Sequence, residues 1–187
     1  MTTEIRSKEF LNLIQERVAR VSIAPSTLRG QGKGVMAAAQ KFLIKKVELT
    51  GLKGMTSKEF SCWLDHTTEA LKHSFPRGEA RNNWGAARKS INIFLESCLY
   101  NKFLSEEYDL EKLAEFMETP LDNGAAEKIQ KKAQSFGIPI RKKWKTIKSL
   151  EPDQSASLQE VALKWANEKK VPRGYLDLWL WQSDSDD

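Results

Sequence analysis

The sequence has few of the residues from which metal sites and disulfide frameworks are built. Cysteine and histidine each occur twice in 187 residues, and Cys62 and Cys98 lie far apart within helical patterns. A metal site drawn from Cys62, His66 and His73 would have irregular spacing and no fourth ligand. We therefore expect neither a disulfide-stabilised domain nor a bound metal or other cofactor.

Long apolar stretches are also missing. No run approaches the roughly 18 apolar residues that indicate a membrane span, and residues 1–10 are polar and charged, unlike the apolar core of a signal peptide. The length suits one domain with a substantial core. We expect a cytoplasmic monomer with a single domain at 1–182 and a disordered acidic tail at 183–187.

Positive charge is in modest excess, since 30 lysines and arginines face 25 acids and the pI is about 9.1. It concentrates in 128–148, a stretch without acids that also contains Phe136 and Trp144. A basic run beside aromatic side chains suits nucleic-acid phosphates, although a solvated surface is the alternative. Four residues of this run are predicted to contact phosphates: Arg141, Lys142, Lys143 and Lys145.

Helical spacing of apolar residues dominates the chain, and strand alternation is not evident. Helices are predicted over 7–22, 35–46 and from Ser57 or Thr56 onward, with another beginning at 122–124 and a fifth over 155–169. We therefore predict a compact all-α protein.

A glycine-spaced basic loop at 28–34 precedes the second predicted helix. It lacks the Gly-Lys-Ser/Thr ending of a nucleotide-binding P-loop and a preceding strand, so nucleotide hydrolysis is not predicted. Lys33 at this helix N-terminus is predicted to contact a phosphate. The alternative is that the glycines only provide flexibility before the helix.

Lys89 and Asp122 are predicted to lie close together. One helix over 87–104 would carry the chain roughly 22 Å away from Lys89. A second helix over 110–118 would return roughly 13 Å, and the extended residues 119–121 would add roughly 10 Å. A lysine amine beside a carboxylate can form a Schiff base with a sugar after cleavage of an N-glycosidic bond.

Three stretches from residue 84 onward carry a family resemblance. They are WGAARKSINIF at 84–94, TPLD at 119–122 and VPRGYLDLWLW at 171–181. Together, in order and spacing, they resemble the archaeal 8-oxoguanine DNA glycosylase family, a branch of the helix-hairpin-helix glycosylase superfamily. The Leu-Pro-Gly-Val-Gly hairpin of the wider superfamily is absent from this sequence.

The resemblance implies a helical DNA glycosylase with its active site between two helical lobes. It places Lys89 at the position of the Schiff-base lysine and Asp122 at that of the catalytic aspartate, acting as acid/base or charge stabiliser. Asp122 could also be a helix N-cap, and Lys89 a solvated helix lysine. For attack, the pKa of Lys89 must fall from about 10.4. Burial, neighbouring Arg88 and a nearby helix N-terminus would each lower it.

The same resemblance assigns Asp177 and Trp181 to the base pocket, and Gln31 and Trp63 are further candidates. Core packing is the alternative for both tryptophans, and a structural hydrogen bond is the alternative for Asp177. Arg88 is predicted to contact DNA phosphates.

The predicted partner is double-stranded DNA containing a modified base, which would make the cytoplasmic protein nucleoid-associated. The base would be an oxidised purine such as 8-oxoguanine, or a hypermodified base such as glycosylated cytosine in viral DNA, which would imply antiviral defence. The sequence does not decide whether the protein also cleaves the DNA strand after it releases the base. The alternative functions are a non-enzymatic helical DNA-binding module and a helical protein-interaction domain.

Overall fold

The computed structural model of the protein describes residues 7–78, 82–140 and 143–182, and these ranges contain helices and loops but no strand. The predicted tail at 183–187 lies outside them. The all-α prediction is confirmed for the described residues. Their eight α-helices are α1 Lys8–Ser22, α2 Val35–Lys45, α3 Ser57–Ser74, α4 Trp84–Tyr100, α5 Lys102–Tyr108, α6 Asn123–Ser135, α7 Pro152–Lys169 and α8 Asp177–Leu180.

Helix starts follow the capping residues of the sequence. The Ser7 hydroxyl accepts a hydrogen bond from the Phe10 amide at 3.2 Å and so begins α1. Thr56 and Glu59 form a capping box at the start of α3. The predicted helices at 7–22 and 35–46 are confirmed to within one residue at each end.

The predicted helix over 87–104 is wrong, because this stretch forms parts of two helices. α4 starts earlier, where the Asn83 side chain accepts a hydrogen bond from the Ala86 amide at 2.9 Å. It ends before Asn101, whose side chain caps the amides of Phe103 and Leu104 and so starts α5. The predicted helix over 110–118 is also wrong, since only a short 3₁₀ turn, Leu110–Leu113, forms there.

The buried apolar residues form two clusters. The first core joins α1, α2, α3, α5 and most of α4. The second core joins α6 and α7 with Leu121, Leu176, Leu180 and Trp84 at the start of α4. Because α4 contributes to both clusters, its N-terminal turns lie where the two cores meet.

A close contact between Gly85 and the 3₁₀ turn Ile147–Ser149 joins α4 to the chain before α7. A Cβ atom at Gly85 would lie 2.1 Å from the Ile147 carbonyl oxygen and 2.9 Å from the Leu150 Cβ. Only glycine therefore lets the turn pack this tightly against α4, one helical turn from Lys89.

Candidate functional site

A cavity of about 660 Å³ opens where the two cores meet. Its walls come from the loop before α2, the N-terminal part of α4, the start of α6, the turn 146–148 and the end of α8. Four residues predicted from the sequence line it together: Gln31, Lys89, Asp122 and Trp181. They are distant in sequence, so this convergence is a product of the tertiary fold.

Lys89 is the buried cation of this cavity, with 7% of its surface exposed. Its Nζ donates a hydrogen bond to the Thr27 carbonyl oxygen at 3.1 Å. Burial lowers the pKa of Lys89 below its usual value, and the negative charge of Asp122 partly opposes that shift. Lys89 is therefore not a solvated helix lysine, and its amine loses a proton more readily than an exposed one.

Asp122 has two roles in the geometry. Its Oδ1 accepts a hydrogen bond from the Ala125 amide at 2.9 Å, so it is the N-cap of α6, as one interpretation of the sequence predicted. The half-buried carboxylate also lines the cavity and acts electrostatically on Lys89. Capping fixes the carboxylate at the cavity wall.

The segment leading to Asp122 is anchored by side chains that the sequence analysis did not identify. Gln159 on α7 binds both backbone groups of Thr119. Arg173 donates to the carbonyl oxygens of Phe116 and Met117 at 2.8 and 2.7 Å. Gln159 is buried on α7 and Arg173 is half-buried in the 3₁₀ turn Arg173–Tyr175, and both bind backbone groups, which leave no pattern in the sequence.

Gln31 connects the loop before α2 to the N-terminus of α4. Its Oε1 accepts a hydrogen bond from Asn83 Nδ2 at 2.7 Å, and its Nε2 donates to the Arg29 carbonyl oxygen at 3.1 Å. Asn83 in turn caps α4. Gln31 therefore stabilises the cavity wall in addition to lining it.

The two predicted tryptophans lie in different environments. Trp181 lines the cavity and is 81% exposed, while Lys128 donates a hydrogen bond to the carbonyl oxygen of neighbouring Gln182. Trp63 packs on the first core and stacks on Phe60 with ring centroids 5.8 Å apart. Trp63 is not among the cavity-lining residues, which agrees with the core-packing alternative.

Asp177 is likewise not among the residues that line the cavity. Its Oδ1 accepts a hydrogen bond from the Tyr100 hydroxyl at 2.6 Å, which is the structural hydrogen bond considered as an alternative. It also faces Glu96 on α4. Burial, followed by the charge of Asp177, raises the pKa of Glu96 to about 9. Asp177 thus attaches the C-terminal element to α4.

Arg88 points into the protein interior. It forms paired hydrogen bonds with Glu118 at 2.8 and 2.9 Å, an ion pair with Asp65 at 2.8 Å and a hydrogen bond with Thr68 at 2.9 Å. These contacts occupy the guanidinium, so the geometry gives it a structural role in place of the predicted phosphate contact.

The other predicted phosphate contacts divide into two groups. Lys33, Lys143 and Lys145 are exposed but do not line the cavity, whereas Arg141 and Lys142 lie outside the described residues. The cavity instead has three other cations in its wall: Arg29, Lys128 and Lys148. Of these, Lys128 and Lys148 are the first and last residues of the basic run 128–148, whereas no role was predicted for Arg29.

Within the described ranges, no group of three or more histidine, cysteine or acidic side chains is placed to hold a metal ion. None of the helices in these ranges has the length and apolar character of a membrane span. Comparisons with protein-family models, curated proteins and solved structures gave no significant match. The function must therefore be inferred from the chemistry of the cavity.

Proposed function

We propose that the protein is a DNA glycosylase that excises a flipped, modified base with Lys89 as nucleophile. The observation that carries this proposal is the buried Lys89 amine, with a lowered pKa, in the same cavity wall as the Asp122 carboxylate. An amine must be neutral to attack carbon, and burial shifts the protonation equilibrium of Lys89 toward the neutral amine.

The chemistry requires only groups that the cavity contains. The neutral Lys89 amine attacks C1′ of the deoxyribose, the N-glycosidic bond breaks, and the base leaves with its bonding electrons and takes up a proton. Asp122 accepts a proton from the amine or stabilises the positive charge that develops on the sugar. The C1′–O4′ bond then breaks, the second amine proton is transferred to O4′, and the nitrogen lone pair forms the C=N bond of the imine.

The imine has two possible fates. Hydrolysis leaves an abasic site, and β-elimination at the 3′ side cleaves the strand. If Lys89 instead positions a water molecule for the attack, an abasic site forms without any imine.

The cavity also suits a base withdrawn from the duplex. Flipping costs a few kcal/mol, which stacking and hydrogen bonds in the pocket must offset. Trp181 offers an exposed aromatic face, and the polar residues Ser26, Thr27, Gln31 and Thr146 also line the wall. A cavity of about 660 Å³ lies within the range that holds entire small-molecule ligands.

Two base classes are proposed as substrates. One is an oxidised purine such as 8-oxoguanine, which corresponds to a repair function. The other is a hypermodified base such as glycosylated cytosine in viral DNA, which corresponds to antiviral defence. The volume and the polar residues of the wall are compatible with a polar substituent on the base.

The test is borohydride trapping on duplexes that carry 8-oxoguanine, glucosylated hydroxymethylcytosine or no modification. We expect the wild-type protein to give a covalent adduct with one modified duplex and Lys89→Gln to give none. Lys112→Gln is the matched control, because this lysine is 77% exposed and lies in a different cavity.

The other outcomes are equally informative. Base release without an adduct would assign the attack to water assisted by Asp122. The non-enzymatic DNA-binding module would be favoured by two results together. No modified base would be released, and DNA binding would depend on salt but not on Lys89→Gln.

A further inference from the structure

Three cations in the cavity wall have no role in the chemistry proposed above. Arg29 belongs to the loop before α2, Lys128 to α6 and Lys148 to the 3₁₀ turn Ile147–Ser149. Among the described residues of the lining, Lys89 and these three cations are the basic ones and Asp122 is the one acidic residue. The cavity wall is therefore positively charged even when Lys89 is neutral.

The environments of these cations differ. Arg29 and Lys148 are exposed, so their charged groups can reach a ligand at the cavity opening. Lys128 is half-buried and donates a hydrogen bond to the Gln182 carbonyl oxygen, next to Trp181. Arg88, the cation adjacent to Lys89, is held by Glu118 and Asp65. Arg29 and Lys148 are thus the cations best placed to bind an anion there.

We propose, on the basis of the glycosylase function proposed above, that Arg29 and Lys148 bind the DNA phosphates next to the flipped nucleotide. In a polynucleotide, the sugar attacked by Lys89 carries a phosphate on each side, close to its C1′ atom. Cations from two separate elements of the cavity wall that contains Lys89 are suited to hold these two groups. The substrate of the cavity is accordingly a nucleotide within a DNA strand, and a free nucleoside would lack both contacts.

Salt dependence provides a direct measure of such contacts. Each phosphate neutralised in duplex DNA contributes about 0.9 to the slope of the logarithm of the association constant against the logarithm of salt concentration. Removal of both cations should therefore reduce the slope by roughly 2. A change in folding alone would not change the slope in this way.

The experiment uses a duplex with a tetrahydrofuran abasic-site analogue, which presents phosphates but has no base to release. Its Kd is measured between 50 and 200 mM salt for the wild-type protein, the variant Arg29→Gln/Lys148→Gln and the control Lys102→Gln/Lys112→Gln. The control removes the same charge from two lysines that are each 77% exposed and line another cavity. Thermal unfolding verifies that all three proteins are folded.

We expect a slope lower by roughly 2 for the Arg29/Lys148 variant and an unchanged slope for the control. Equal slopes for the two double variants, or no binding of this duplex by the wild-type protein, would overturn the phosphate contacts. The slope is independent of base release. A lower slope with no release from any modified base would support the phosphate contacts and reject the glycosylase. Base release with equal slopes would support the glycosylase and reject the phosphate contacts.

Discussion

The Gln159 side chain binds both backbone groups of Thr119. Its Oε1 accepts a hydrogen bond from the Thr119 amide at 3.1 Å, and its Nε2 donates to the Thr119 carbonyl oxygen at 2.7 Å. Both residues are buried. Because Thr119 precedes Asp122 by three residues, this pair fixes the segment that brings the carboxylate to the cavity.

Replacement of Gln159 by Leu should lower the free energy of unfolding by about 1–3 kcal/mol, because it leaves buried Thr119 backbone groups without partners. It should also slow imine trapping, since the segment that leads to Asp122 loses one of its anchors. Urea unfolding and single-turnover trapping measure the two effects. Gln134→Leu, at an exposed position on α6, should change the stability by less than about 0.5 kcal/mol. Equal stabilities of the two variants would contradict the prediction.

The charge of Asp122 raises the pKa of Lys89, against the larger effect of burial. Asp122→Asn should therefore lower this pKa further, so that the amine becomes neutral at a lower pH. We expect the pH at which trapping is half-maximal to decrease, together with a lower maximum rate. Single-turnover trapping as a function of pH tests this, with the exposed Asp153→Asn as control. An upward displacement of the profile would refute the electrostatic coupling.

Gly85→Ala should destabilise the protein by about 1–3 kcal/mol or more, because the added methyl group collides with the Ile147 carbonyl oxygen. It should also displace the turn that forms one wall of the cavity, and so reduce base release. Gly51→Ala is the control, since a Cβ there meets nothing within 4 Å. Thermal unfolding compares the two variants, and equal melting temperatures would count against the close contact.

Glu96 makes the stability of the fold dependent on pH. Its pKa is about 9 in the folded protein, compared with the usual value of 4.5, so the folded state binds the proton more tightly. Binding of this proton adds to the free energy of unfolding. The addition is fully present below about pH 4.5 and is lost as the pH rises towards 9. The free energy of unfolding should therefore decrease over this interval.

Glu96→Gln should remove that decrease and stabilise the protein at pH 9 by more than about 1 kcal/mol relative to wild type. Urea unfolding at several pH values measures the effect. The exposed Glu160→Gln should retain the wild-type pH dependence. If the Glu96→Gln protein still loses stability between pH 5 and pH 9, the pH dependence of the free energy of unfolding comes from another group.

Local signals predicted much of the fold. Thr56 and Asp122 cap helices as their positions in the sequence indicated. The predicted helix over 87–104 is broken because the Asn101 side chain satisfies two amides of a new helix. Apolar spacing is similar on both sides of that break, so periodicity alone did not reveal it.

The site was only partly predictable because its geometry depends on contacts between distant segments. Lys89 and Asp122 line one cavity, although the helices used to estimate their proximity differ from those observed. Asp177 and Trp181 lie on the same short helical element, and the sequence could not indicate which one the cavity contains. The Thr27 carbonyl oxygen, which binds Lys89, has no sequence signature at all.

Lys89 and Asp122 belong to parts of the chain that pack in different cores. α4 is largely a first-core helix, while Asp122 begins the helix that packs in the second core. A chain in which the second core has not formed would lack the placement of Asp122 in the cavity that contains Lys89. Under the proposed glycosylase function, attack on a DNA sugar with help from this carboxylate therefore requires that both cores have formed.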